Sequence, residues 1–212
     1  MAEFKYDPED LLAERSVLDI YRISKATPVN SFNVISSIVI FFILLVYVTT
    51  ASAKAPTILE LLRSLTADAL AFAPAILGFL VAGFAIFLTP SQPQVFELMA
   101  KHEYEKSGFS YLKYNLSVFI LIFIHYLAFF VLCFCIRLLC SSKGVAAAFL
   151  ASLPITVATR SEIISIGISA TFVLFGTWFF YVIMLLKSFI FNLYHIVMTS
   201  VALTAAEDKD ES

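Results

Sequence analysis

Four stretches of this chain are long enough, apolar enough and free enough of charge to cross a bilayer: residues 32–53, 69–89, 116–136 and 163–186. Each has 21 to 24 residues and none contains Asp, Glu, Lys or Arg. About 20 helical residues, at 1.5 Å each, cross a hydrocarbon core of ~30 Å. The expected fold class is an all-α integral membrane protein with four transmembrane helices, short amphipathic helices, and a last helix extended into the cytoplasm. Nothing outside the spans is large enough for a second domain. The chain divides into a cytoplasmic N-terminal segment (1–31), a four-span domain (32–186) and a cytoplasmic extension with an acidic tail (187–212).

Composition narrows the function classes. Charged residues make up 14% of the chain, against about 25% in a soluble domain. The 22 Phe and 9 Tyr exceed what a small water-soluble core hides, and lipid-facing surfaces accommodate them. The net charge of -2 supplies no basic field, so no direct nucleic-acid binding is expected. Cys133, Cys135 and Cys140 lack CxxC spacing, which implies neither a disulfide framework nor a zinc site. The first 31 residues carry six acids and four bases without an apolar core, so no signal peptide is expected and the first span stays in the mature protein.

An even number of spans puts both termini on one side. That side, with the loop between spans two and three, carries nine Lys and Arg; the other carries five. The positive-inside rule then predicts cytoplasmic termini.

Asp7 and Pro8 predict a helix start, followed by an amphipathic cytoplasmic helix to about Ile23. Thr57 and Glu60 have capping-box spacing, and Ile58, Leu61, Leu62 and Leu65 form one apolar stripe. They predict a short interfacial helix that feeds into span two after Asp68. Pro74 removes one backbone hydrogen bond inside span two and predicts a bend. Residues 94–106 read as a helix stopped at Gly108. From 163 to 206 the only charge is Lys187. As one helix that stretch would reach ~66 Å, twice the hydrocarbon thickness. It either continues as a long helix into the cytoplasm or turns along the membrane. Its apolar continuation through Phe189, Leu193, Ile196 and Val197 needs a cover, which neighbouring copies would supply.

Span two carries the clearest pattern. Ala71, Ala75, Gly78, Ala82, Ala85 and Thr89 are spaced 4, 3, 4, 3, 4, so six small residues share one helical face with Gly83 beside it. In lipid, small residues let helix backbones approach. The face serves either contact between subunits, around a pore axis included, or packing within one four-helix bundle. In span three, Phe119, Phe123, Tyr126, Phe130 and Phe134 form an aromatic stripe that packs on that small face or meets lipid. His125 is the ionisable side chain well inside a span. It is a candidate for proton sensing or relay, with a neutral hydrogen-bonded imidazole as the alternative. Arg137 and Lys187 lie at span ends and are read as snorkelling anchors. No catalytic motif and no metal-ligand spacing appears; a non-enzymatic chain without cofactor is expected.

In size, span count and the segment Gly78-Phe79-Leu80-Val81-Ala82-Gly83-Phe84-Ala85-Ile86 followed by a polar loop, the chain resembles the four-span membrane subunit of Kiwa-type bacterial anti-phage systems. The resemblance implies a homo-oligomeric inner-membrane sensor or scaffold that recruits or restrains a soluble cytoplasmic effector. It transfers no functional residue. The expected partners are further copies of the chain (taken as a tetramer), the bilayer and a soluble cytoplasmic protein. A small ion channel or depolarising pore, and a transporter, are the competing readings.

Overall fold

A computed structural model describes residues 14–24, 30–50, 55–88, 93–104, 109–141 and 144–210. Its elements in chain order are α1 (Val17–Ser24), α2 (Ser31–Thr50), α3 (Ala55–Leu88), α4 (Pro93–Lys101), β1 (Glu103–Tyr104), β2 (Phe109–Ser110), α5 (Tyr111–Leu139), α6 (Val145–Ser152) and α7 (Val157–Asp210). Four of these helices, α2, α3, α5 and α7, are long and apolar enough to cross a membrane. Among the described residues the fold is all-α apart from one two-residue antiparallel pair, Glu103 opposite Ser110 and Tyr104 opposite Phe109.

Local chemistry sets the helix starts. The Ser16 hydroxyl accepts from the Asp19 N–H at 3.2 Å, an N-cap that opens α1, and donates to Asp19 Oδ2 at 2.7 Å. Residues Glu14 to Ser16 are not helical, so a single helix from Pro8 to Ile23 does not form. The expected start at Asp7 lies outside the described residues. Ser110 accepts from the Lys113 N–H and opens α5. Thr156 accepts from the Thr159 N–H at 3.2 Å and opens α7.

Several sequence expectations need correction. The short helix expected before span two is not separate: α3 is one helix of 34 residues that runs through Arg63, Asp68 and Pro74. Thr57 and Glu60 lie within it, so they do not cap it. Pro56 sits in the first turn, where its missing N–H has no intrahelical partner to lose. The helix expected over 94–106 ends at Lys101, because Glu103 and Tyr104 pair with Phe109 and Ser110. α6 is an element the sequence does not announce. It follows Gly144, where a Cβ would lie 2.6 Å from the Leu139 carbonyl oxygen, so the turn after α5 leaves no room for a side chain. Of the two fates open to the end of the chain, the structure takes the long helix. α7 has 54 residues, about 81 Å at the standard rise.

The chain forms two compact units: one takes in Met1–Asn30, Leu77–His125 and Leu185–Ser212, and the other Ser31–Ile76 and Tyr126–Met184. In the first, Phe119 meets Phe84 and Phe189 edge-on at 5.7 and 5.2 Å, and Phe79 meets Phe189 at 5.9 Å. A Cβ on Gly83 would lie 2.7 Å from Phe189 Cζ, so glycine allows α3 and α7 to approach here. Phe189 and Ile196, expected to require outside cover, are buried by the chain itself; Val197 stays exposed, alongside Ile190, Phe191, Tyr194 and Val201. In the second unit, Phe129 stacks on Phe175 and Phe179 at 5.3 and 5.4 Å, and Phe72 meets Phe179 at 6.2 Å.

Each long helix buries one ridge. On α5 it is Asn115, Phe119, Ile122, Tyr126, Phe129, Cys133 and Ile136, at alternating steps of 4 and 3. Such steps keep the buried residues on one side of α5. The expected aromatic stripe shares one side of α5 but is divided in burial. Phe119 and Tyr126 belong to the ridge, while Phe123 and Phe134 are exposed. On α2 only Asn33 and Ser37 are buried, and its remaining surface is largely apolar and open.

Candidate functional site

Two side chains of the second unit reach the backbone of α7. Tyr126 Oη donates to the Val182 carbonyl at 2.8 Å, and Asn33 Nδ2 donates to the Met184 carbonyl at 3.2 Å. Both side chains are buried. Two carbonyls two residues apart on α7 thus receive donors from two other helices, α5 and α2. Ser37 returns its proton to the Asn33 carbonyl at 2.7 Å, so this hydroxyl is satisfied within α2 as hydrocarbon surroundings require. The arrangement fixes the axial register of three helices. It offers no nucleophile and no acid–base pair. Sequence reasoning counts Tyr126 among packing aromatics and passes over Asn33. A single amide in the first turn of an otherwise apolar span is the available signal.

The small-residue face of α3 lies on the exposed side of the helix. Ala71, Ala75, Gly78, Ala82 and Ala85 are all exposed, while Ala69, Ala73, Leu80 and Gly83 form the buried ridge on the other side. Nothing lies within 4 Å of a Cβ built on Gly78. Thr89 lies outside the described residues. Pro74 is exposed on the same side as the stripe, and its missing N–H takes the usual donor from the Leu70 carbonyl.

His125 is half-buried, its Nδ1 is 2.9 Å from the Leu121 carbonyl, and its ring lies 6.3 Å from that of Tyr21 on α1. A second link also ties the segment before α1 to α5: Lys113 Nζ lies 2.7 Å from Glu14 Oε1, both mostly shielded. Sequence reasoning misses this pair, since its members lie far apart in the chain and share no periodic pattern.

Arg63 on α3 donates from Nε to the Cys140 carbonyl at 2.8 Å. Burial pushes the Cys140 thiol pKa up, with the Arg63 charge pulling the other way. Arg160 donates from Nη2 to the Ala151 and Leu153 carbonyls at 3.3 and 3.1 Å, placing a cation at the end of α6. Among the described residues no group of three or more His, Cys, Asp and Glu is placed to hold a metal ion.

Comparison of the chain with family models, curated proteins and solved structures gives no match. The fold itself defines the class: a four-span, all-α, multi-pass membrane protein.

Proposed function

We infer that the chain is a non-enzymatic, self-associating scaffold or sensor of the bacterial inner membrane that couples the bilayer to a soluble cytoplasmic partner. The observation that supports this is the orientation of the α3 stripe. Its five described members are exposed in a single copy, and the opposite ridge already supplies the helix's internal packing. Lipid tails are as apolar as leucine, so a smooth small-residue face gains most from another helix, where backbones approach closely. The second support is the exposed apolar surface of α7 at Ile190, Phe191, Tyr194, Val197 and Val201. The bias of nine basic residues against five favours cytoplasmic termini. Anti-phage defence is the biological setting the resemblance to Kiwa-type membrane subunits suggests.

Native mass spectrometry of the chain in detergent tests the reading. A discrete oligomer, four copies in the expected case, that dissociates in Gly78→Leu supports it; a monomeric wild type overturns it. Conductance across liposomes carrying that oligomer separates the scaffold from the pore. A silent bilayer is expected, and unitary currents would replace this reading by the channel.

A further inference from the structure

Within the second unit, residues of α3, α5, α6 and α7 line a cavity of about 430 Å³ that is apolar along its walls and cationic at one point. Leu59, Leu139, Ile163, Ile164 and Ile168 supply hydrocarbon, and Arg63 is the one charged residue of the lining. A second cavity, also about 430 Å³, shares Arg63, Ile136, Cys140 and Ser141 and adds Arg137 and Glu60. The two therefore adjoin at Arg63. Among the described residues neither Arg63 nor Arg137 has an ion-pair partner. Arg63 commits one of its five N–H groups to Cys140.

The carbonyls at the end of α5 would repel an anion, but several are already occupied. Ile136 accepts from the Cys140 N–H at 2.8 Å, Leu138 accepts from the Ser141 hydroxyl at 3.3 Å, and Cys140 accepts from Arg63. Two guanidinium groups against one carboxylate leave a net positive site beside a hydrocarbon groove, at the ends of membrane spans. Guanidinium is the cation best matched to a phosphodiester. A basic pocket between transmembrane helices can hold an anionic lipid head group; with cytoplasmic termini this one opens at the outer ends of the spans.

The geometry points to a bound anionic phospholipid, its phosphate held by Arg63 and Arg137 and one acyl chain lying along Leu139, Ile163, Ile164 and Ile168. A zwitterionic lipid is disfavoured because its ammonium would lie among two guanidinium groups. Gly167 lines the groove, and a Cβ there has nothing within 4 Å, so a substitution at this position is expected to narrow the groove.

The test is a titration of detergent-solubilised full-length protein with phosphatidylglycerol, read by native mass spectrometry as mass adducts. Wild type binds with at least tenfold preference over phosphatidylcholine. R63Q/R137Q loses that preference, and R63K/R137K restores most of it. Gly167→Leu lowers affinity for phosphatidylglycerol at least fivefold while leaving every charge in place. Equal affinity for the two lipids in wild type, or unchanged phosphatidylglycerol binding in both R63Q/R137Q and Gly167→Leu, overturns the proposal. Glycerol 3-phosphate that competes as well as the intact lipid also overturns it, since the acyl groove would then contribute nothing. Should R63Q/R137Q fail to fold, Gly167→Leu alone decides. The measurement is independent of copy number, so its failure leaves self-association standing.

Discussion

The Tyr126 hydroxyl donates a 2.8 Å hydrogen bond to the Val182 carbonyl, and both residues are fully buried. That carbonyl also belongs to the hydrogen-bond ladder of α7, so the phenol is an extra donor on an already helical oxygen. Tyr126→Phe keeps the ring and deletes the bond. The expected loss is about 0.5–1.5 kcal/mol, the range for one hydrogen bond in or out of lipid. Thermal unfolding in detergent reads it. Tyr126→Phe combined with Asn33→Leu should deviate from additivity, because their acceptors lie two residues apart on one helix.

Gly78 and Gly83 predict opposite phenotypes on one helix. A Cβ at position 78 has nothing within 4 Å, so in Gly78→Leu the monomer should keep its melting temperature while the oligomer is lost. Gly83→Leu drives into Phe189, already 2.7 Å from a bare Cβ. Overpacking of this kind costs about 1–3 kcal/mol and should lower the monomer's own melting temperature. Equal melting temperatures for the two variants would contradict the assignment of the two faces.

The Glu14–Lys113 pair is shielded on both sides, with side-chain exposures of 13% and 19%. Removing one partner should cost more than an exposed pair and less than a fully buried one, about 1–2 kcal/mol. Glu14→Gln should therefore loosen the segment before α1. Limited trypsin digestion at Arg15 and Arg22 reports it, with cleavage in the variant at least threefold faster than in wild type.

Cys140 offers a pH readout. Its thiol pKa is raised, mainly by burial, and the thiolate is the reactive form. With Cys133 and Cys135 replaced by Ala, maleimide labelling at neutral pH should be slower than for an exposed thiol and should accelerate as pH rises. Arg63 holds the pKa down against burial, so Arg63→Gln should move the whole rate profile to higher pH. The linkage has one sign. A thiol pKa raised in the folded state favours the protonated form, so its contribution to stability is full below the ordinary thiol pKa and declines as pH climbs through the folded one.

The four spans are readable because hydropathy over about 20 residues is a property of the segment alone. What lies between them is harder. Arg63 and Asp68 signal an end to apolarity, and the sequence reading divides α3 there; a helix needs backbone hydrogen bonds and tolerates charges on its open side. α6 is rich in alanine, eight residues long, and lacks a side-chain cap, so no local signal announces it. The β1–β2 pair is too short to show alternation. For the candidate site, the small-residue stripe is visible as a pattern, but its direction depends on where α3's other face packs. The Tyr126–Val182 and Arg63–Cys140 bonds join positions 56 and 77 apart, a separation beyond any periodic pattern.

The alternating ridge on α5 has a consequence for how such a chain tolerates change. Successive residues turn by about 100° around a helix axis. One residue inserted between Phe129 and Cys133 would leave span length, charge and hydropathy almost untouched. Yet it would rotate Cys133 and Ile136 off the ridge relative to Phe129, which stays against Phe175 and Phe179. The information that makes this bundle specific is thus angular phase, and a lesion in phase is invisible to any measure of greasiness.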